Sequence, residues 1–345
     1  MSRRRRAHDP GARVGAAKPA HTPSPAPVGA AWPAPTPPGA DAPLLAFAPA
    51  PPGFRSGFVA LIGRPNAGKS TLVNRVLGRK VSIVSDKPQT TRHRVTAVLD
   101  APDYQLVFLD MPGFQKPRDT LTRRMQDLVN TTLSEVDAVV FLLPGDQEFG
   151  RGDAFIADAL RAVTTPVLVA VNKVDLLSDE QAAAQLEAAR TLAGAAPVHL
   201  VSALTGRGLD ALVAGLSSVL LPGPRYFPPG MVTDQPEQVL IGEFIREQLL
   251  AVTQEEVPHS LAVEVLEMEP REDRDLVYIR AAIYVERRSQ RPIILGVGGE
   301  RLKAVGTAAR REIEWLVGSQ VFLELVVKVR AHWRADTRML DRLGL

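Results

Sequence analysis

Residues Gly63-Arg64-Pro65-Asn66-Ala67-Gly68-Lys69-Ser70 follow the apolar run Phe58-Val59-Ala60-Leu61-Ile62 and lead into the helix-like Thr71-Leu72-Val73-Asn74-Arg75-Val76-Leu77. This stretch constrains the fold more than any other, because such a loop works in only one setting. A buried strand must aim it, two glycines must let backbone N–H groups converge on anionic oxygens, and a helix N-terminus must add positive potential. Lys69 then reaches the β- and γ-phosphates of a nucleotide, and the Ser70 hydroxyl binds Mg²⁺.

The surrounding pattern suits that setting. From Phe54 to about Pro222, short apolar runs alternate with helix-like stretches, the signature of an α/β domain. Strands are expected at 58–62, 94–100, 104–110, 137–143, 166–172 and 197–202, and helices at 69–77, 119–133, 153–163, 179–193 and 209–220. Ser178 followed by Gln181 is a capping-box pair for the helix at 179. Asp100-Ala101-Pro102-Asp103 is short enough to join two antiparallel strands, so a mostly parallel sheet with one antiparallel member is expected. Residues 222–237 hold Pro222, Pro224, Pro228, Pro229, Gly230 and Pro236 and read as a linker. Beyond it come a helix at 238–252, strands at 261–268 and 276–286, a glycine turn at 296–299, a helix at 299–317, a strand at 320–330 and a C-terminal helical piece.

A chain of 345 residues fits two domains. It has no cysteine, which excludes disulfides, thiolate metal sites and cysteine nucleophiles. No apolar run approaches the roughly 20 residues that span a bilayer, and a soluble protein is expected. The net charge of +3 suggests nucleic acid, but six Lys/Arg against two Asp/Glu fall within residues 1–53, so the rest is near −1. That tail opens with Arg3-Arg4-Arg5-Arg6, is rich in Pro, Ala and Gly, and is expected to be disordered. It lacks the apolar region of a secretory signal and has too much proline for a transit helix. Its arginines fit either a solvated tail or a contact with RNA or acidic surfaces.

Three further stretches point to a guanine nucleotide. Asp110-Met111-Pro112-Gly113 follows the strand Leu106-Val107-Phe108-Leu109, where a carboxylate can hold Mg²⁺ through water and the Gly113 N–H can meet the γ-phosphate. The same residues also fit a strand ended by a Pro-Gly turn. Asn172-Lys173-Val174-Asp175 follows the strand 167–171. Guanine offers two donors on one edge, N1–H and the exocyclic amine; one carboxylate accepts both, and adenine has no such pair. Asp175 is thus the expected base reader, framed by Asn172 and the Lys173 stem, with Ser202-Ala203 supplying a small turn for the guanine O6. Asp86-Lys87-Pro88-Gln89-Thr90-Thr91-Arg92 occupies the place of a first switch loop, and Thr91 rather than Thr90 is expected to close over Mg²⁺.

In order and wording these motifs resemble the translation-factor-related class of bacterial GTPases, and the chain from about 54 to 345 resembles its Era-type family. Phe244-Ile245-Arg246-Glu247, Glu256-Val257-Pro258-His259-Ser260, Tyr284-Val285-Glu286-Arg287 and Trp333 onward read like that family's second domain. The resemblance implies a Ras-like P-loop GTPase domain over 54–222, a linker over 223–237 and an α+β KH domain of type II over 238–345. It implies GTP and GDP bound by Gly63 to Ser70, Asp110 to Phe114, Asn172 to Asp175, Ser202 and Ala203. Mg²⁺ would be held by Ser70, Thr91 and Asp110, and Lys69, Thr91, Gly113 and Asn66 would serve hydrolysis. Met111 stands where the family usually has Thr, a change the motif tolerates because Asp110 and Gly113 do its work. Phe114 stands where many GTPases place a glutamine that orients the attacking water. Either the site binds nucleotide without turnover, or other groups position the water; in several relatives an asparagine at the place of Asn66 helps hold K⁺, and slow hydrolysis is expected.

Ile293-Ile294-Leu295-Gly296-Val297-Gly298-Gly299-Glu300-Arg301-Leu302-Lys303 matches the G-x-x-G loop of a KH domain, which clamps single-stranded nucleotides. Gly296, Val297, Gly298, Gly299, Arg301 and Lys303 are the expected RNA contacts, with apolar residues of the adjoining strand and helix lining the base groove. Family members usually carry a basic residue inside this loop; Val297 and Gly298 are uncharged. Residues 280–311 carry eight Lys/Arg against two Asp/Glu, and 255–275 eight acids against two arginines, so phosphates should meet the former side. The implied partners are the 3′ region of 16S rRNA and the 30S subunit, for a cytoplasmic monomer with peripheral association at the inner membrane face. Competing readings are an RNA-binding protein whose G domain does not turn over, and a membrane GTPase tethered by Arg3 to Arg6.

Overall fold

The computed structural model describes residues 50–114, 117–271 and 274–345; the tail expected over 1–53 lies, up to residue 49, outside the described residues. Its first sheet contains β1 (Arg55–Ile62), β2 (Val95–Asp100), β3 (Tyr104–Asp110), β4 (Ala138–Pro144), β5 (Val167–Asn172) and β6 (Val198–Leu200) in the order β2-β3-β1-β4-β5-β6. Every neighbouring pair is parallel except β2 and β3, which the hairpin closed by Ala101 N donating to Tyr104 O makes antiparallel. The helices are α1 (Lys69–Leu77), α2 (Thr120–Leu133), α3 (Arg151–Arg161), α4 (Asp179–Ala193) and α5 (Leu209–Val219).

Alternation along the strands sorts these helices onto two faces. Val59 and Leu61 of β1, with Val140 and Leu142 of β4, pack toward α1 and α5. Ala60 and Ile62, with Val139, Phe141 and Leu143, pack toward α2, α3 and α4. Buried on both faces, β4 reads as an unbroken apolar run, as a parallel strand between two helical layers must. Strand order reverses at β1, so the crevice at its carboxyl end is where an α/β sheet of this kind takes its ligand.

The second sheet has the order β7 (Ala262–Arg271), β8 (Leu276–Val285), β9 (Gln320–Val329). β7 and β8 are antiparallel; β8 and β9 are parallel, and the crossover between them carries α8 (Gln290–Leu295) and α9 (Glu300–Val317). α6 (Glu237–Val252) and α7 (Val257–Ser260) precede the sheet and α10 (Thr337–Arg342) follows it. One difference from the sequence reading concerns the glycine turn. It joins two helices rather than a strand and a helix, because Ile293, Ile294 and Leu295 form the last turn of α8, with Ile294 buried in the core.

The two sheets have separate cores, and residues of the first half pack into the clusters of the second. Ile83, between α1 and β2, is buried among Phe244 and Ile245 of α6, Ile283 of β8 and Ile313 of α9. Leu121 and Met125 of α2 pack with Trp333, Tyr284 and Leu340. Residues 223–237 lie along the edge strand β2: Val98 N donates to Val232 O at 2.9 Å, Thr233 Oγ1 to Thr96 O at 2.7 Å, and Arg225 pairs with Asp100.

Candidate functional site

β1 delivers the loop 63–70 into the crevice, and α1 begins at Lys69. Gly68 has φ +97°, and a Cβ there would lie 2.2 Å from Asn172 Nδ2, so this position admits only glycine. No side chain caps α1, which leaves its first N–H groups for an anion. Lys69 Nζ donates to the carbonyls of Gly63 and Arg64 at 3.2 Å. Burial lowers its pKa to about 8, against the opposing pull of Asp110. The Arg64 side chain turns away from the loop to the buried carboxylate of Asp153 on α3, at 2.7 Å.

Three hard oxygens meet beside Lys69. Ser70 Oγ donates to Asp110 Oδ2 at 2.6 Å and lies 3.1 Å from Thr91 Oγ1. Asp110 is fully buried, its Oδ1 has no partner, and burial raises its pKa against the Ser70 hydrogen bond and Lys69. An orphaned buried carboxylate oxygen beside two hydroxyls suits Mg²⁺, which takes few protein oxygens and completes its shell with water and phosphate. Thr90, by contrast, turns its hydroxyl to Lys87 O at 2.6 Å, so of the two threonines the structure brings Thr91 to this cluster.

The loop after β3 closes the other side. Gly113 lies so near Pro65 that a Cβ would come within 2.8 Å of its nitrogen, and Phe114 N donates to Gly63 O at 3.2 Å. The Phe114 ring packs on Phe155 of α3, centroids 5.6 Å apart. Met111 points into the core under α2 and α3, so its side chain does not reach the crevice. Asn66, at φ +63°, donates from Nδ2 to Asp86 O at 2.6 Å and ties the phosphate loop to the segment containing Thr91.

Asn172, at the end of β5, bridges two loops: Nδ2 donates to Ala67 O at 2.9 Å and Oδ1 accepts from Ala203 N at 2.8 Å. Lys173 adopts φ +67° and pairs with Asp146 at 2.9 Å, while Val174 is buried below it. Asp175 is exposed, and its Oδ1 accepts from the buried Ser202 hydroxyl. Residues from four strand ends thus meet along one edge of the sheet. A groove of 790 Å³ between α3 and α4 contains none of the residues expected from sequence.

In the second half, Gly296, Gly298 and Gly299 have φ of +73°, +58° and +84°, and Val297 between them is 89 % exposed. Arg301 and Lys303 are exposed on the first turn of α9; the Arg301 guanidinium donates back to Ile293 O. Beside the loop a 380 Å³ groove runs between α9 and β9, lined by Leu302, Gly306, Phe322 and Leu325 among others. Phe322 is 57 % exposed and stacks on Tyr278 at 6.0 Å. An open aromatic beside a glycine loop is a surface on which a base can stack.

The sequence reading did not foresee the contacts that join the halves. Lys80 pairs with Glu247 of α6 and Glu312 of α9, and Glu247 also accepts from Val84 N at 2.8 Å. Arg246 pairs with Glu243 and donates to Thr90 O, and Arg334 pairs with Asp119, the N-cap of α2. Arg246 and Glu243 share one helix, but the partners that meet across the two halves lie more than 150 residues apart in the chain, where no local pattern marks them.

Comparison with known proteins agrees with this geometry. A family model described as 50S ribosome-binding GTPase matches residues 58–173, and a KH domain model matches 256–334. The chain is 48 % identical over 292 residues to the GTPase Era of Mycobacterium avium (strain 104), covering 84 % of this chain and 98 % of that one; the Era of Mycobacterium sp. (strain KMS) matches to the same extent. Among solved structures, Era in complex with MgGDPNP and nucleotides 1506–1542 of 16S ribosomal RNA aligns with TM-score 0.82 at 36 % identity, over 84 % of this chain and 99 % of that one. An Aquifex aeolicus Era variant bound to GDP·AlF4⁻ aligns with TM-score 0.81, with the same identity and coverage.

Proposed function

The chain belongs to the Era family of GTPases, and from that premise we propose that it hydrolyses GTP as a switch, binds 16S rRNA near its 3′ end and assists assembly of the 30S subunit. The observation that carries this reading is the meeting of Ser70, Thr91 and the orphaned Asp110 oxygen beside Lys69, because it joins a nucleotide loop to a switch loop. We read residues 54–222 as the G domain, 223–237 as a connector and 238–345 as the KH domain, which the two sheets and their cores support.

Hydrolysis breaks the bond between the γ-phosphorus and its bridging oxygen, with water supplying the new oxygen and GDP and phosphate leaving. Lys69 and the free N–H groups of α1 neutralise the phosphate oxygens, and Gly113 brings a further N–H toward the γ-phosphate. Mg²⁺, held by Ser70, Thr91 and Asp110, supplies charge neutralisation on the β and γ oxygens. The Phe114 side chain has no hydrogen-bonding group and packs on α3, so positioning of water falls to the loops themselves. Asn66 bridges the phosphate and switch loops, where its side-chain oxygen would help hold K⁺. Asp175 accepts the two guanine donors, while Asn172 and Ala203 hold the base loop in register. In the second domain the loop Gly296 to Gly299, with Arg301 and Lys303, clamps the backbone of single-stranded RNA, and the Phe322 groove takes its bases.

The same reading makes the protein a monomer that works in the cytoplasm and meets the inner membrane face only peripherally; among the described residues no helix is long and apolar enough to cross a membrane. The test is phosphate release from the purified protein. Release from GTP with Mg²⁺, and none from ATP, is expected; nucleotide binding without any release overturns the switch.

A further inference from the structure

Thr91 stands between two residues that the second domain holds. The carbonyl of Thr90 accepts from Arg246 of α6. Arg92, 4 % exposed, donates from Nη1 to Leu261 O at 2.5 Å and from Nη2 to Pro258 O and His259 O at 3.2 and 3.3 Å. These three carbonyls belong to α7 and the residue that ends it, and the guanidinium also lies 5.7 Å from the Trp333 ring centroid. The planar fork of an arginine can serve several carbonyls at once and keep its charge under a covering domain; an ammonium cannot copy that geometry. The backbone that aims the Thr91 hydroxyl at Ser70 is therefore fixed on both sides from the second domain.

α7 continues the connection. Ser260 Oγ donates to Val257 O at 3.0 Å and accepts from Gln290 Nε2 at 2.9 Å, and Ser260 O accepts from Trp333 Nε1 at 2.9 Å. Gln290, 3 % exposed, is the first residue of α8, and its Oε1 accepts from Glu286 N and Arg287 N at 3.0 Å. α8 has six residues and ends at Gly296, the first glycine of the RNA-facing loop. α7 is a single turn, and the buried Ser260–Gln290 hydrogen bond ties it to the start of α8.

We propose that Arg92 is a positioning residue for GTP hydrolysis, acting through Thr91, and that the Ser260–Gln290 hydrogen bond couples its position to the Gly296–Gly299 loop. This rests on the function proposed above and names the route by which its two sites sense each other. The bound state of either site biases one shared element, which is the physical requirement for reciprocal coupling.

The experiment uses the full chain and a synthetic RNA of nucleotides 1506–1542 of 16S rRNA, with RNA affinity measured in GDPNP and in GDP. The wild type is expected to show a ratio of about fivefold or more between the two states. Ser260→Ala should leave turnover without RNA, and RNA affinity in GDP, within about twofold, and bring the ratio below about twofold. Arg92→Lys should lower kcat at unchanged GDP affinity and abolish the ratio as well. The double variant should lose no more of the ratio than Arg92→Lys alone, because both changes cut one route; two unrelated lesions would add. A wild-type ratio of one, a Ser260→Ala ratio equal to wild type, or additive losses overturns the relay. A wild type that releases no phosphate and binds no RNA overturns the functional reading, and the relay with it.

Discussion

The Asn172 side chain donates to the Ala67 carbonyl at 2.9 Å and so fastens the base-reading loop to the phosphate loop. Its other atom accepts from Ala203 N, so Asn172→Ala strands two buried backbone groups at once. Each is worth roughly 1–3 kcal/mol when left unpaired. GTP and GDP affinity should fall by about 100-fold or more, with a lower Tm. Calorimetric titration checks this; unchanged affinity would mean that the loops keep their register without the bridge.

Asp175 is exposed at the open end of the same loop, and its Oδ1 accepts from Ser202. Asp175→Asn replaces an acceptor pair with a mixed donor and acceptor and removes charge-assisted bonds of roughly 1.5–3 kcal/mol each. GTP affinity should drop by several kcal/mol on that scale, and xanthosine triphosphate, whose C2 carbonyl accepts from the new amide, should gain. Competition with a fluorescent nucleotide reads both changes, and equal ATP and GTP affinity in the wild type would remove the assignment.

Phe114 packs on Phe155 and not against the oxygen cluster, so Phe114→Ala should keep turnover within about tenfold of wild type. Lys69→Ala and Ser70→Ala, which remove contacts to phosphate and Mg²⁺, should cost on the order of 100- to 1,000-fold. Replacing K⁺ by Na⁺ should slow the wild type if Asn66 seats a cation. Single-turnover phosphate release separates these cases; a Phe114→Ala protein as inactive as Lys69→Ala would contradict the account of the site.

Much of this arrangement can be read from local sequence because local chemistry sets it. The helices at 69–77 and 179–193 have the expected bounds: Gly68 and Gly78 flank the first in left-handed conformations, and the Ser178–Gln181 pair caps the second. α8 escaped for the opposite reason. It is too short to show a helical period, its apolar residues look like a strand end, and its first residue is fixed by Ser260, thirty positions away. Arg92 and Arg246 entered the sequence reading only as members of longer stretches, because their burial comes from carbonyls and side chains far away in the chain.

Val297 and Gly298 form the tip of the glycine loop. A Cβ at Gly298 meets nothing within 4 Å, and its φ of +58° is one that aspartate tolerates better than most residues. Placing Asp at both positions should leave fold and GTP affinity intact and cut RNA affinity by about tenfold or more, by setting negative charge against the backbone that the loop must touch. Wild-type affinity should fall with salt at a log–log slope of about −0.7 per phosphate contact, as for single strands. Filter binding over a salt series measures both, and unchanged binding by the double variant would remove the KH loop from the interface.

The central claim is that one chain joins GTP turnover to the 3′ end of 16S rRNA, and crosslinking in cells followed by sequencing of the bound RNA tests it most directly. The account predicts crosslinks concentrated at the 3′ end of 16S rRNA in immature small subunits, lost when Val297 and Gly298 are both replaced by Asp. Crosslinks spread over unrelated RNAs, or an unchanged map from that double variant, would contradict it.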